Sequence, residues 1–273
     1  MPNQIAMLAD IFDRRIARLH RERAARMGDG AHPLLRALAE EMADRLLGVR
    51  KEFHDVLELG GGGASVAALL PPSAQRNVAL SDVSEYALRR VDSATLAVVA
   101  DEENLPFAEG RFDLVISLLS LSSVNDVQGH LLTLKRALRP GGLFMAAMAG
   151  GETFADLRSC LMEAELDLCD GAGSRFSPMI NMVSASRLLS QAGFALPIVD
   201  REFCVLTYSD IFALMHDLRG AGMTALHHKH AREWLPRSAF VEAERLYRSR
   251  HESLHDRLAV RLELYFLHGW QGG

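Results

Sequence analysis

The chain has 273 residues, 49% of them hydrophobic, and a formal net charge of −5. That size and apolar share fit one large core, or a core with an appended subdomain. The acidic balance argues against general nucleic-acid binding, which calls for a basic surface. Cys160, Cys169 and Cys204 are far apart with no C-x-x-C pair, which argues against a disulfide framework or a structural zinc site and fits a reducing compartment. No apolar run is long enough to cross a bilayer, and M-P-N-Q-I-A-M-L-A-D lacks the pattern of a secretory signal.

The first predicted element is a basic helix over residues 10–27, D-I-F-D-R-R-I-A-R-L-H-R-E-R-A-A-R-M. Ile11, Ile16, Leu19 and Met27 form its apolar stripe, with arginines on the remaining faces. It reads first as a solvated amphipathic helix packed on the domain, and second as a basic docking surface for an acidic partner. A second helix is expected over 33–47, where Leu34, Leu35, Leu38, Met42 and Leu46 recur at helical spacing.

Then the period changes. D-V-L-E-L (55–59) is a strand ended by glycines, and 64–70 is a helix stopped by Pro71 and Pro72. N-V-A-L-S-D (77–82) is a second strand, followed by a helix over 84–91 with Ser84 as N-cap. Strands at 96–101 and 112–120 follow, then a helix over 127–138 ended at Arg139-Pro140-Gly141-Gly142, and a strand over 143–149. Further on come helices near 154–168 and at 185–192, a strand near 196–205, helices at 209–219 and 239–250, and a closing strand at 257–267. Strands alternating with helices predict a mostly parallel α/β sheet covered on both faces. The predicted parts are an N-terminal helical segment (1–50), an α/β core (51–208), a helical insertion (209–256) and a last strand completing the core (257–273).

V-L-E-L-G-G-G-G-A-S-V (56–66) sets the functional question. A nucleoside-triphosphate loop needs G-x-x-x-x-G-K-S/T, and no lysine is present. The dinucleotide pattern G-x-G-x-x-G/A fails as well: from Gly60 its sixth position is Ser65, and from Gly61 it is Val66. E/D-x-G-x-G-x-G/A is filled by Glu58, Gly60, Gly62 and Ala64. Two acids stand where they suit such a loop. Asp82 ends the second strand about twenty residues on, where a carboxylate accepts from both hydroxyls of a ribose. Asp101 ends the third strand beside Glu102, where both can meet an adenine. Each alone reads equally as a cap or a solvated turn; three in register favour binding.

The glycine loop resembles that of the class I S-adenosylmethionine-dependent methyltransferases, whose glycines lie against the cofactor while a helix N-terminus offers amides. R-A-L-R-P-G-G-L-F (136–144) is also typical of that superfamily. The resemblance narrows on I-F-D-R near the start, A-D-E-E-N-L-P-F, F-D-L-V-I-S-L-L-S-L-S-S-V-N-D, A-A-M-A-G-G-E-T-F-A-D-L-R and the closing F-L-H-G-W-Q. These segments are similar to the subfamily of the mitochondrial complex I assembly factor with a methyltransferase fold, described as an arginine hydroxylase, and its bacterial relatives. D-L-R-G-A-G-M-T-A-L (217–226) resembles the insertion of the malonyl-carrier-protein methyltransferase of biotin synthesis. Two positions depart from the family: Gly61 stands where a cysteine is usual, and Ser122 and Ser123 where His-Trp is frequent.

The resemblance implies a Rossmann-like fold, S-adenosylmethionine as cofactor, and a cofactor set of Glu58, Gly60, Gly61, Gly62, Asp82, Val83, Asp101, Glu102 and Ser117. It also implies a protein or carrier-protein acceptor rather than a free small molecule, in a bacterial cytoplasm or, in a eukaryote, the mitochondrial matrix. Candidates on the acceptor side are Ser120, Asn125, Asp126, Glu152 and Arg158, with Tyr265 and Trp270 as further pocket residues. Arg158 can hold a carboxylate bidentately or form a surface ion pair; Asn125 and Asp126 can serve as caps. Iron chemistry would ask for two histidines and a carboxylate; His227, His228 and His230 are the dense histidine group, read as a solvated loop, and no metal site is assigned. Two function classes stand: a methyltransferase or arginine-modifying enzyme, and a cofactor-binding assembly factor that holds a partner subunit.

Overall fold

The computed structural model describes residues 11–28, 32–60, 64–89, 91, 95–169, 171–173, 175–226, 235–251 and 256–272. Its helices are α1 (Arg14–Met27), α2 (Pro33–Leu47), α3 (Glu85–Leu88), α4 (Val127–Ala137), α5 (Ala155–Leu168), α6 (Met182–Gln191), α7 (Ile211–Gly220) and α8 (Arg237–Arg250). Its strands are β1 (Asp55–Leu59), β2 (Asn77–Asp82), β3 (Leu96–Val99), β4 (Phe112–Leu118), β5 (Leu138–Ala149), β6 (Ala195–Tyr208) and β7 (Leu258–Trp270). They form one sheet in the order β3-β2-β1-β4-β5-β7-β6. The first five strands run parallel, and β7 inserts antiparallel between β5 and β6.

The sheet is apolar where it is covered on both faces. Every residue of β4 is buried, as an interior parallel strand requires. One face carries α2, α5, α7 and α8 through Leu38, Leu161, Leu214 and Leu246. The other carries α4 and α6 through Leu131, Leu134 and Leu189. The helices α7 and α8 stand between β6 and β7 in the chain, the place expected for a helical insertion.

Several boundaries differ from the sequence reading. The helix expected at 64–70 is a single 3-10 turn, Ala67–Leu69, with Glu58 accepting from the Val66 and Ala67 amides ahead of it. β4 stops at Leu118, since Leu119 turns left-handed at φ 59°. β5 begins at Leu138 rather than 143: Leu138 stands level with Phe112, and Gly141 and Gly142 bond to Gln271 across the ladder at 2.8 Å each. The first helix also packs differently. Ile11, Leu19 and Met27 are exposed, whereas Phe12 and Ala17 are buried. Of the expected stripe only Ile16 packs inward, beside Phe12, Ala17 and Leu226; the helix otherwise rests on inward-turned arginines.

α4 buries His130 on the inner side of the sheet's second face. Burial pushes its imidazole down to about 4 from 6.5. The unfolded chain therefore takes up a proton between those values that the fold refuses, so stability falls as pH falls, by up to about 1.4 kcal/mol per pH unit. Unfolding of His130→Leu followed between pH 7 and 4.5 is expected to show a clearly shallower acid loss than the parent. Equal slopes would locate the acid sensitivity elsewhere.

Candidate functional site

The strand register brings four chain segments to one edge. Leu59 is level with Ser81 and Ser117, and Asp82 with Val99. The carboxyl ends of β1 to β4 thus lie side by side, where open α/β sheets bind ligands.

Gly60 leaves β1 with φ +74° and donates its N–H to Ser81 O at 2.9 Å. A Cβ there would stand 3.0 Å from both Leu118 O and Ser120 Cβ. Backbone conformation and space therefore both demand glycine. Gly61 and Gly62, with Gly63, lie outside the described residues.

Glu58 is fully buried. Its carboxylate accepts from Ser65 Oγ at 2.7 Å, Val66 N at 2.7 Å and Ala67 N at 3.2 Å. Burial pushes the carboxyl upward against these bonds. The acid thus braces the chain that follows the glycine run.

Asp82 is 1% exposed at the end of β2. Its Oδ1 accepts from Ser84 N at 2.9 Å and its Oδ2 from Arg21 Nη2 at 2.6 Å. Arg21 donates to Gly60 O as well. Asp101 caps the turn Glu102–Asn104 through Glu103 N at 3.0 Å and accepts from Arg14 Nε at 3.0 Å. Arg14 also pairs with the buried Glu102. Burial raises the Glu102 carboxyl above its ordinary range, the charge of Arg14 opposing. Arg14 and Arg21 are seven residues apart, two turns on one helix face. The sequence reading missed both as site residues. The signal was that spacing, in a chain whose acids end the facing strands.

Beyond this edge lies a cavity of about 350 Å³, walled by α1, α7, the start of α5 and the segments 175–179 and 221–226. Val83, Glu102 and Ser120 open onto it, so it is continuous with the acid edge. Leu119 and Phe154, left-handed at φ 59° and 53°, both line it. Each follows a strand, β4 or β5, and such non-glycine outliers cost about 1–3 kcal/mol, tolerated chiefly where a site requires them.

The acceptor-side candidates separate. Ser120 lines the cavity, with its Oγ 2.9 Å from the Oγ of the fully buried Ser117 beneath it. The others do not line it. Asn125 bonds Phe12 N at 2.8 Å and Phe12 O at 3.1 Å, fastening the chain ahead of α1. Asp126 caps α4 through Gly129 N at 2.8 Å. Glu152 is exposed, 3.8 Å from Arg261. Arg158 donates to Gly151 O and stands 6.0 Å from the Phe176 ring. Tyr265 is buried within β7. Trp270 is level with Leu143 at the entry of β5's central stretch, the far end of the sheet from the acids. His227, His228 and His230 lie outside the described residues. Among the described residues no three His, Cys, Asp or Glu side chains converge as metal ligands.

A methyltransferase-domain model matches residues 57–146. The mouse protein named arginine-hydroxylase NDUFAF5, mitochondrial, is 32% identical over 267 residues, covering 96% of this chain and 78% of the relative. The malonyl-[acyl-carrier protein] O-methyltransferase of Laribacter hongkongensis is 32% identical over 266 residues, covering 92% and 86%. Among solved structures, the YcgJ protein of Bacillus subtilis superposes with a TM-score of 0.56 at 14% identity, covering 86% of this chain and 98% of its own. Phosphoethanolamine N-methyltransferase 2 of Haemonchus contortus, solved with S-adenosyl-L-methionine, gives 0.50 at 16% identity, covering 85% and 53%.

Glu58 serves as an internal brace, so its charge matters less than its acceptors. Glu58→Ala leaves two buried amides unpaired and is expected to cost about 1–3 kcal/mol. Glu58→Gln, which keeps an acceptor and sheds the buried charge, is expected to melt well above Glu58→Ala. Calorimetric melting of the three proteins checks the order; equal melting of Gln and Ala variants would contradict it.

Proposed function

Because the chain belongs to the S-adenosylmethionine-dependent methyltransferase family that includes the NDUFAF5 arginine-hydroxylases and the malonyl-[acyl-carrier protein] O-methyltransferases, we propose that the acid edge is its cofactor site and the adjoining cavity its acceptor site. In this reading Asp82 takes the ribose hydroxyls, and Asp101 and Glu102 face the adenine. Val83 covers the base, and Gly60, Gly61 and Gly62 give bare backbone to the methionine end. Glu58 and Ser117 support the floor from below.

The residues fit that group. Gly60 has no room for a side chain against Leu118 and Ser120, and a buried carboxylate stands at the end of the next strand. When bound, the cofactor supplies an electrophilic methyl group on a sulfonium. The chain's part is positional. The acceptor atom must come in line with that methyl at about 3–3.5 Å, and water must be kept out. α1 closes the edge with Ala17 and its two arginines, and Leu119 and Phe154 close the apolar side. Ser120 marks the junction of the two halves.

The observation that carries this reading is the juxtaposition of Gly60 with the buried Asp82 and Glu102 on one strand edge. Isothermal titration with S-adenosylhomocysteine is expected to give micromolar binding, about −8 kcal/mol. Asp82→Asn and Asp82→Ala should each weaken it at least about tenfold, the loss of roughly one charge-assisted hydrogen bond. A correctly folded Asp82→Asn protein with parental affinity would refute the assignment.

A further inference from the structure

The acids of the strand edge are shut in by one helix. Asp82 is 1% exposed and Glu102 5%. Arg21 donates to Asp82 Oδ2 at 2.6 Å and also to Gly60 O. A Cβ at Gly60 would lie 3.3 Å from Arg21 Nη2, so the guanidinium covers part of the backbone that the glycine leaves bare. Two turns earlier on the same helix face, Arg14 Nε donates to both carboxylate oxygens of Asp101, at 3.0 and 3.1 Å, and Arg14 pairs with Glu102 as well. Two arginines of α1 thus hold all three acids assigned above to the ribose and the adenine. A ribose hydroxyl finds no surface of Asp82 to meet until Arg21 withdraws.

The helix that carries these arginines is thinly rooted. α2 buries seven residues, all in the main core, whereas α1 buries one, Ala17. Ala17 stands with Phe12, Leu226 and the partly buried Ile16 in a small cluster apart from the two that fill the sheet faces. Apolar stabilisation scales with the area buried, so lifting α1 forfeits little of what holds the fold. The remaining ties are polar. Asp13 N donates to Leu226 O at 2.8 Å, Arg23 Nη2 donates to Thr224 Oγ1 at 3.0 Å, and Thr224 Oγ1 lies 2.7 Å from His20 Nδ1. An element held by few apolar contacts opens well below the free energy of global unfolding.

We propose that α1 is a gate on the cofactor edge, latched by Arg21 on Asp82 and by Arg14 on Asp101 and Glu102, and that S-adenosyl compounds enter and leave only while it is lifted from the segment 221–226. This deepens the assignment of the acid edge to the cofactor and rests on it. A lifted arginine leaves its carboxylate without a partner, which keeps the gate shut most of the time. The two latches release together, because both arginines ride on one face of one helix. Each oxygen of a carboxylate accepts two hydrogen bonds, so the pairs can form again beside a seated ribose and the helix closes over it. Binding that waits on such an opening is slow to associate.

Hydrogen exchange of the full chain reads the gate without a ligand. The amides of α1 are expected to exchange about tenfold faster than those of α2 or more, and to slow when S-adenosylhomocysteine is added. Surface plasmon resonance reads it with the ligand. Arg21→Gln loosens the latch and is expected to raise the association rate of S-adenosylhomocysteine about threefold or more; an arginine that only held the ligand would change the dissociation rate alone. A tether tests the converse. A Cβ at Gly222 would lie 3.6 Å from Ala24 Cβ, within disulfide reach. With Ala24→Cys and Gly222→Cys combined, oxidation is expected to slow association about tenfold or more, and to slow dissociation likewise when the bond is made after loading. The reduced double variant controls for the side chain at Gly222, which is left-handed at φ +71°. α1 amides as protected as those of α2, or association rates moved by neither Arg21→Gln nor the tether, would overturn the gate and leave the cofactor assignment standing. A parent protein that binds no S-adenosylhomocysteine would strike the cofactor assignment, and the gate with it.

Discussion

The site depends on charge neutralisation across the sheet edge. Asp82 and Glu102 are both buried, and the charge of Asp82 adds to the burial that disfavours the ionised form of Glu102. Two carboxylates taken out of water at that spacing would hold protons or draw water in. Arg21 and Arg14 prevent this by pairing with one each. Burial opposes the charge on Arg21, yet attraction from Asp82 outweighs it and leaves the guanidinium above its ordinary value. Removing one partner of such a buried pair is far more damaging than its net contribution suggests, because the other charge remains. The edge therefore cannot be understood from β1 to β4 alone. A helix from the start of the chain, sixty to ninety residues away in sequence, is part of it.

That dependence explains how α1 is seated. Ile11, Leu19 and Met27 face outward, and the inward face offers Phe12, Ile16, Ala17 and the arginines Arg14 and Arg21. A small residue at position 17 lets the helix come close enough for guanidinium groups to reach the strand ends. Asn125 holds the chain just ahead of the helix through both backbone groups of Phe12, and Glu103 in turn accepts from Asn125 N at 2.7 Å. Asp13 caps the helix through Arg15 N and Ile16 N. Of the polar residues that read as acceptor candidates after β4, Asn125 is thus consumed in fastening this cover. Helix propensity contributes little here; position is set by ion pairs and caps.

The sheet and the acids at its strand ends were legible because both leave local marks. Strands β1 and β2 were bounded to the residue by an apolar run ending in glycine or in an acid; the strand expected at 96–101 stops at Val99, and Asp101 caps the turn that follows it. What escaped was long-range. Hydrophobic periodicity records apolar burial, so it read Ile11, Leu19 and Met27 as the inner face of α1 and had no term for an arginine burying itself against a distant carboxylate. The early start of β5 escaped because Arg139-Pro140-Gly141-Gly142 carries every mark of a helix stop, while its pairing partners at 112 and 271 lie far off in sequence. The cavity itself left no local pattern: its walls come from α1, from the segment after α5 and from α7, each apolar for ordinary packing reasons.

The two halves of the site are held by different means. The acid edge belongs to the parallel strands, within the span matched by the methyltransferase domain. The cavity walls come mostly from outside that span, and the Phe154 turn among them is held by β7. Glu263, wholly buried on β7, accepts Glu152 N at 2.7 Å, and its backbone carbonyl accepts from Thr153 Oγ1 at 3.0 Å. Phe154 N donates to Arg261 O at 2.8 Å. The left-handed turn at Phe154 is therefore over-determined by a strand that enters the sheet only after the α7–α8 segment has been laid down. Because β7 fixes that turn on one side and follows α7 and α8 in the chain, a change in the insertion can reshape the cavity while the acid edge keeps its geometry.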